Sequence, residues 1–234
     1  MGETTATRTT PKWETVARER LKTSLRRFAK PLAELVARDA NEGDTRLLVT
    51  DVLCEALGFD KYADLSTEYA VKGEFADYGL RIDQQLVAFV EVKRAATKLG
   101  QRHLRQVEMY AVNEGVEWLI LTNGSSWEVY RLIPGLPVTI DLVLSVDLLG
   151  EGTLNKKVDE LFYLTRESLK RGQIEERWKA AASTAPESLA QVLVSDAVLT
   201  EAARELRRRT GHRVDAADLG RLVRDTVLRA ELAR

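Results

Sequence analysis

The chain lacks most of what would send it to a membrane, a disulfide framework or a zinc site. Its 234 residues hold a single cysteine, Cys54, which excludes an intramolecular disulfide and any cysteine-rich zinc cluster. The only histidines, His103 and His212, stand in no metal-ligand spacing, and no H-x-E or H-E-x-x-H occurs. No apolar run approaches the roughly 20 residues of a membrane span. Met1 to Lys12 is Thr-rich without an apolar core, so it reads as a disordered tail and not a signal peptide. No G-x-x-x-x-G-K-[ST] loop is present, which excludes a P-loop motor within this chain. Ser125 and Ser126 have no histidine at a spacing that would activate them. An excess of one charge is also missing. Lys and Arg total 35, Asp and Glu 36, and the net charge is −1, so bulk charge does not announce a nucleic-acid binder. These absences describe a cytoplasmic protein with no membrane partner, long enough to bury a real core.

What is present centres on residues 76–93, ADYGLRIDQQLVAFVEVK. Leu86 to Val90 is apolar on both faces, the pattern of a strand buried inside a sheet. It ends in Glu91-Val92-Lys93. Side chains alternate along a strand, so Glu91 and Lys93 share a face. An acid and an amine there are costly unless paired or engaged with a metal. A hairpin through Asp83-Gln84-Gln85 folds Asp77 back beside Glu91. Two carboxylates and a lysine then converge. Such a set suits Mg²⁺, which prefers oxygen ligands, and a lysine that orients or deprotonates water or stabilises a phosphoryl transition state. Asp77, Glu91 and Lys93 alone form a loose pattern that equally fits a half-exposed hairpin with a salt bridge.

The flanking segments narrow the choice. Asn41-Glu42-Gly43-Asp44-Thr45-Arg46 opens a helix that runs to Leu57 and stops at Gly58. Its stripe is Leu48, Val49, Val52, Leu53, Ala56 and Leu57, with Cys54 beside it as a packing residue. Gln101 to Asn113 has helical spacing, and Gln106 and Tyr110, four apart, share a face. Trp118 to Thr122 reads as a buried strand, Asn123-Gly124 as a tight turn, and Trp127 to Tyr130 as the partner strand.

Asn41-Glu42…Thr45-Arg46, Leu57-Gly58-Phe59, Ala76-Asp77-Tyr78, Glu91-Val92-Lys93, Gln106…Tyr110 and Thr122-Asn123-Gly124…Trp127…Tyr130 occur in one order. Over residues 38–135 this series resembles the PD-(D/E)xK nuclease superfamily, and within it the N-terminal nuclease domain of type I restriction enzyme R subunits and its free-standing relatives. The resemblance implies that Asp77 and Glu91 are metal ligands and Lys93 the catalytic lysine. It implies that Glu42 is an accessory acid at the metal, and that Gln106 and Tyr110 touch the nucleic-acid backbone. Ala76 stands where the superfamily motif has its proline, a position that shapes the strand entry and does no chemistry. The implied protein is a Mg²⁺-dependent endonuclease, with Mn²⁺ as a substitute, that hydrolyses DNA in restriction or defence. RNA remains open as a substrate. The alternative is a non-cutting nucleic-acid-binding or partner-dependent subunit that keeps the fold, working with a separate motor or specificity subunit.

The expected fold is α/β: a restriction-endonuclease-like mixed sheet flanked by helices, with a helical C-terminal extension. Residues 1–12 are the tail, 13–150 the nuclease-like domain with its N-terminal helix, and 151–234 the extension. The helix over 13–38 turns Trp13, Val16, Leu21, Leu25, Phe28, Leu32, Leu35 and Val36 inward. Val138 to Leu149 supplies a last edge strand. Helices are expected near 156–170, 173–182, 187–209 and 215–232, with Pro186 starting one, Gly211 stopping one and Asp215 capping the last. Three readings of the extension stay open: a cap on the nuclease domain, a homodimer interface, or DNA contact through Arg207-Arg208-Arg209 and Arg213. Two basic groups also stand out. Arg18, Arg20, Lys22, Arg26, Arg27 and Lys30 crowd the first helix, while Lys93, Arg94, Lys98, Arg102, His103 and Arg105 follow the catalytic strand. The second group is either a phosphate-contacting rim or a solvated face.

Overall fold

The computed structural model describes residues 10–71 and 74–229, without the side chains of residues 68–71, 74, 75, 101, 106 and 110. The expected tail therefore lies outside the described residues up to residue 9, and Lys12 already opens helix α1, Lys12–Ala37. Ala17, Leu21, Leu25, Phe28, Leu32 and Leu35 face inward along it, the three-and-four spacing of a one-sided helix. Val16 does not join them and is exposed; it lies off the stripe, and Ala17 takes the inward place.

Helix α2, Glu42–Asp51, starts where Asn41 caps it, the Asn41 side chain accepting the Asp44 N–H at 2.8 Å. Its last turn widens into a π-type turn over Val52–Ala56. Six strands then form one mixed sheet in chain order: β1 Leu65–Val71, β2 Glu74–Ile82, β3 Gln85–Val92, β4 Trp118–Thr122, β5 Ser126–Ile133 and β6 Thr139–Asp147. All neighbours are antiparallel except β3 and β4. That parallel pair needs a crossover, and helix α3, Arg105–Glu114, supplies it. Strand β1 is absent from the sequence reading; Ser66 to Lys72 mixes polar and apolar residues without the apolar run that marks β3 and β4.

The sheet is covered on both faces. On one side α1 and α2 bury Leu21, Phe28, Val49 and Leu53 against Leu80, Val90, Val92, Ile120 and Trp127. On the other, Leu104, Val107 and Ala111 pack on Phe89, Leu119, Leu121 and Tyr130. This is why β3 and β4 are apolar without alternation.

By its contacts the chain divides into two compact units, one through Glu175 and one from Glu176. Helices α4, Leu154–Leu161, and α5, Arg166–Lys170, belong to the first and pack on α1. The expected helix over 156–170 is broken at Thr165, a buried residue whose hydroxyl accepts the Ser168 N–H and caps α5. Helix α6, Gln173–Ser183, spans the division. In the second unit the expected helix over 187–209 is two, α7 Pro186–Leu193 and α8 Asp196–Thr210. The break falls at Ser195, whose hydroxyl donates to Val192 O at 2.7 Å. Such local side-chain bonding competes with helix continuation. Pro186 occupies a helix start, Gly211 ends α8 with φ 77°, and Asp215 caps α9, Ala216–Leu222. On α8, Arg208 and Arg209 both pair with Glu205. Among the described residues no helix is long and apolar enough to cross a membrane.

The end of α2 shows how α1 is fastened. Arg20 donates to Ala56 O at 3.1 Å and to Leu57 O at 3.2 Å, a cation on the carbonyls of a helix C-terminus. It also grips Glu167 at 2.7 and 2.8 Å. Burial would raise the Glu167 pKa, but the bonds and charge of Arg20 outweigh it and hold it below the ordinary value. Gly58 lies beside this clasp with φ 83°, and a Cβ there would fall 2.5 Å from Arg20 Nη2. We expect Gly58→Ala to cost about 2–4 kcal/mol in urea denaturation, from left-handed strain plus displacement of Arg20. Arg20→Ala should then cost less in the Gly58→Ala background than in wild type. Additive effects would show that the glycine does not serve the clasp.

Candidate active site

The hairpin between β2 and β3 sets the site. Its turn is two residues, Asp83-Gln84, both left-handed at φ 51° and 69°. Gln85, expected in the turn, is already in β3. A two-residue turn carried straight along would set Asp77 opposite Val90. That does not happen, because the register shifts by one at Leu80/Arg81: Arg81 pairs with Leu86, but Leu80 pairs with Ala88. Val87 is the extra residue of a β-bulge. Tyr78 consequently faces Val90, the last pair of this ladder, and Asp77 and Glu91 are the next residues on their two strands. There Asp77 Oδ2 accepts the Val92 N–H at 2.7 Å. The carboxylate is thereby fixed to the backbone of the strand that carries Glu91.

Glu91 is 6% exposed. Its Oε1 accepts from Lys93 Nζ at 2.5 Å, the two side chains sharing a face as the strand period requires. Burial pushes the Glu91 carboxyl up to about 7, and the charges of Asp77 and Glu42 add to that against the opposing pull of Lys93. For Lys93, burial alone would lower the pKa. The bond to Glu91 and the charges of Glu91, Glu42 and Asp77 prevail and raise it. The lysine is therefore held as an ammonium. Three acids act on this lysine, and a second cation, Arg46, pairs with one of them.

Helix α2 closes the site from one side. Glu42, in its first turn, is exposed and reaches Glu91 and Lys93 through its charge. Arg46, one turn on, donates to Asp77 Oδ1 at 3.0 Å. The Arg46 carbonyl accepts the Tyr78 hydroxyl at 2.9 Å, which ties α2 to the strand beside Asp77. Among the described residues no three His, Cys, Asp or Glu side chains converge as a metal cage. Asp77 and Glu91 are nonetheless two oxygen donors at one site. That matches Mg²⁺, which is commonly held by one or two carboxylates with waters and substrate phosphate. Gln106 and Tyr110 stand on α3, but their side chains lie outside the described residues.

Two contributions were not visible as roles in the sequence. The first is Asn123. Its Oδ1 accepts from Ser125 N at 3.1 Å and Ser126 N at 2.7 Å, and its Nδ2 donates to Thr97 O at 2.9 Å. Together with the Lys93 N–H to Thr122 O bond of 2.8 Å, this anchors the segment after Lys93 to the β4–β5 turn. Gly124, at φ 87°, is the left-handed residue the turn requires. The second is Arg46. It stands in the Asn41-Glu42…Thr45-Arg46 motif, four residues after Glu42 on the same helix face.

Residues 41–135 match the model of the family described as type I restriction enzyme R protein N terminus (HSDR_N). The match spans α2 through β5 and includes Glu42, Asp77, Glu91, Lys93, Gln106 and Tyr110. No curated protein and no solved structure gives a significant match.

The burial of Glu91 has a measurable consequence. Its folded-state pKa is raised from 4.5 to about 7, so the folded protein binds this proton more tightly than the unfolded chain. Its stabilising effect is complete below about 4.5 and is lost as pH rises through about 7. We expect Glu91→Gln, measured by thermal unfolding in EDTA, to gain stability relative to wild type across this window and level off above it. The gain should be about 3 kcal/mol at most. A wild-type-to-variant difference that does not change with pH would rule out a buried, charge-poor Glu91.

Proposed function

We propose that the region of residues 41–135, which matches the HSDR_N family model, hydrolyses DNA phosphodiester bonds with a divalent cation, Mg²⁺ or in its place Mn²⁺, held by Asp77 and Glu91. One observation carries the reading: Asp77, Glu91 and Lys93 come together where β3 ends, two carboxylates and an amine at one site. A bound cation supplies an acidified water and stabilises charge on the phosphoryl group.

The residues take distinct parts. Asp77, oriented by the Val92 amide, presents its carboxylate in a set direction. Glu91, paired with Lys93, would be the second oxygen ligand. Lys93 is held charged, so it acts as a donor that orients the attacking water or stabilises the transition state, and not as the base. Glu42 acts from the exposed start of α2, reaching the cation through water. Gln106 and Tyr110 contact the strand from α3. Arg94, Lys98, Arg102 and Arg105 are exposed along the segment that follows Lys93, as a phosphate-contacting rim requires. One site cuts one strand, so a supercoiled plasmid should pass through the open circle before the linear form.

The test is cleavage of linear and supercoiled plasmid with Mg²⁺, Mn²⁺ or EDTA. We expect wild type to cut only with metal, and Lys93→Ala and Asp77→Ala to lose at least about a hundredfold in rate while staying folded. A folded wild type that cuts neither DNA nor RNA in any metal would favour a binding or partner-dependent subunit.

A further inference from the structure

The two oxygens of Asp77 are held differently. Oδ2 accepts a backbone amide, Val92 N–H at 2.7 Å, at the end of β3. Oδ1 is taken by a side chain, Arg46 Nη1 at 3.0 Å. The Asp77 side chain is 11% exposed and that of Arg46 37%, so the carboxylate is enclosed while the guanidinium has a route to solvent. The backbone of Arg46 is fixed. Its carbonyl accepts both the Tyr78 hydroxyl and the Thr50 hydroxyl at 2.9 Å, so the helix turn is held in place.

We infer that Arg46 is a displaceable counter-charge: it holds Asp77 Oδ1 while no divalent cation is bound, competes with the cation for that oxygen, and on release turns to a phosphate of the DNA. Three observations support this. Three acids act on Lys93, and Arg46 supplies a second cation from outside the strand that carries it. A cation on Asp77 would meet a like charge within contact distance of the same oxygen, and like charges disfavour one another most where water is scarce. A released guanidinium on a pinned helix turn stays within one side-chain length of the site. Its planar fork suits phosphate oxygens.

This rests on Asp77 and Glu91 holding the cation, so the experiment separates the two claims. Mn²⁺ is titrated calorimetrically, without DNA, into the full chain as wild type, Arg46→Gln, Arg46→Lys and Asp77→Asn. Folding of each is checked by thermal unfolding. We expect Arg46→Gln to bind Mn²⁺ about tenfold more tightly than wild type, since the competing charge is gone. Arg46→Lys, which keeps the charge, should stay near wild type. Asp77→Asn should not bind. In plasmid cleavage at saturating Mg²⁺, Arg46→Gln should be slower than wild type although its cation affinity is higher. A merely structural arginine would lower both, because Asp77 would lose its orientation. Binding that Asp77→Asn abolishes but Arg46→Gln leaves unchanged or weakens overturns the role of Arg46 alone. No binding by any of the four overturns the metal reading and this inference with it.

Discussion

The ladder between β2 and β3 starts at the Asp83-Gln84 turn and closes with Tyr78 opposite Val90, one residue out of step with where that turn would lead it. The extra residue, Val87, makes the difference. Slipping a strand by one residue exchanges its faces, so the bulge decides whether Asp77 stands level with Val90 or with Glu91. Everything chemical about the site follows from the second alignment. The carboxylate reaches the Val92 amide, the two acids are the next residues beyond the last pair, and Tyr78 meets the helix turn that carries Arg46. Bulges are common beside functional sites because they re-aim a side chain without dismantling the sheet.

The second constraint is electrostatic. A pocket that buries Glu91, keeps Asp77 nearly covered and admits the field of Glu42 does not reach neutrality with Lys93 alone. Its own cations compensate by close pairing, Lys93 on Glu91 and Arg46 on Asp77. Buried charge is tolerable only when paired, and such pairs are costly to break from one side. The same pairing keeps the lysine protonated. The sheet supplies the rigid support. Strands β3 and β4 are packed on both faces, and the Asn123 turn fastens the segment after Lys93 from behind.

The elements nearest the site were legible because each carries a local signal. An unbroken apolar run marked β3, an Asn-Gly dipeptide marked the β4–β5 turn, and Asn41 and Gly58 bracketed α2. Strand β1 carries no such signal, since it gains its structure from pairing with β2. The two breaks in the C-terminal helices were missed for another reason. Thr165 and Ser195 act through hydroxyl bonds that periodicity does not register. The site was legible as residue types: Asp77, Glu91 and Lys93 were named from spacing and from resemblance. Arg46 and Asn123 carry no local signal of what they do, because it depends on partners 31 and 26 residues away in the chain.

The sequence by itself determined the composition of this protein's chemistry and its local frame. It set two carboxylates and a lysine at the end of a buried strand, a capped helix bearing an acid upstream, and a tight turn downstream. These follow from side-chain period, caps and turn residues, all of which act over a few positions. The tertiary structure alone decided the register that sets Asp77 level with Glu91, the proton affinity of Glu91, and the pairing of Arg46 with Asp77. Each depends on how closely distant segments approach, and the bulge that sets that approach is stabilised by packing on both faces of the sheet and not by any residue's own preference.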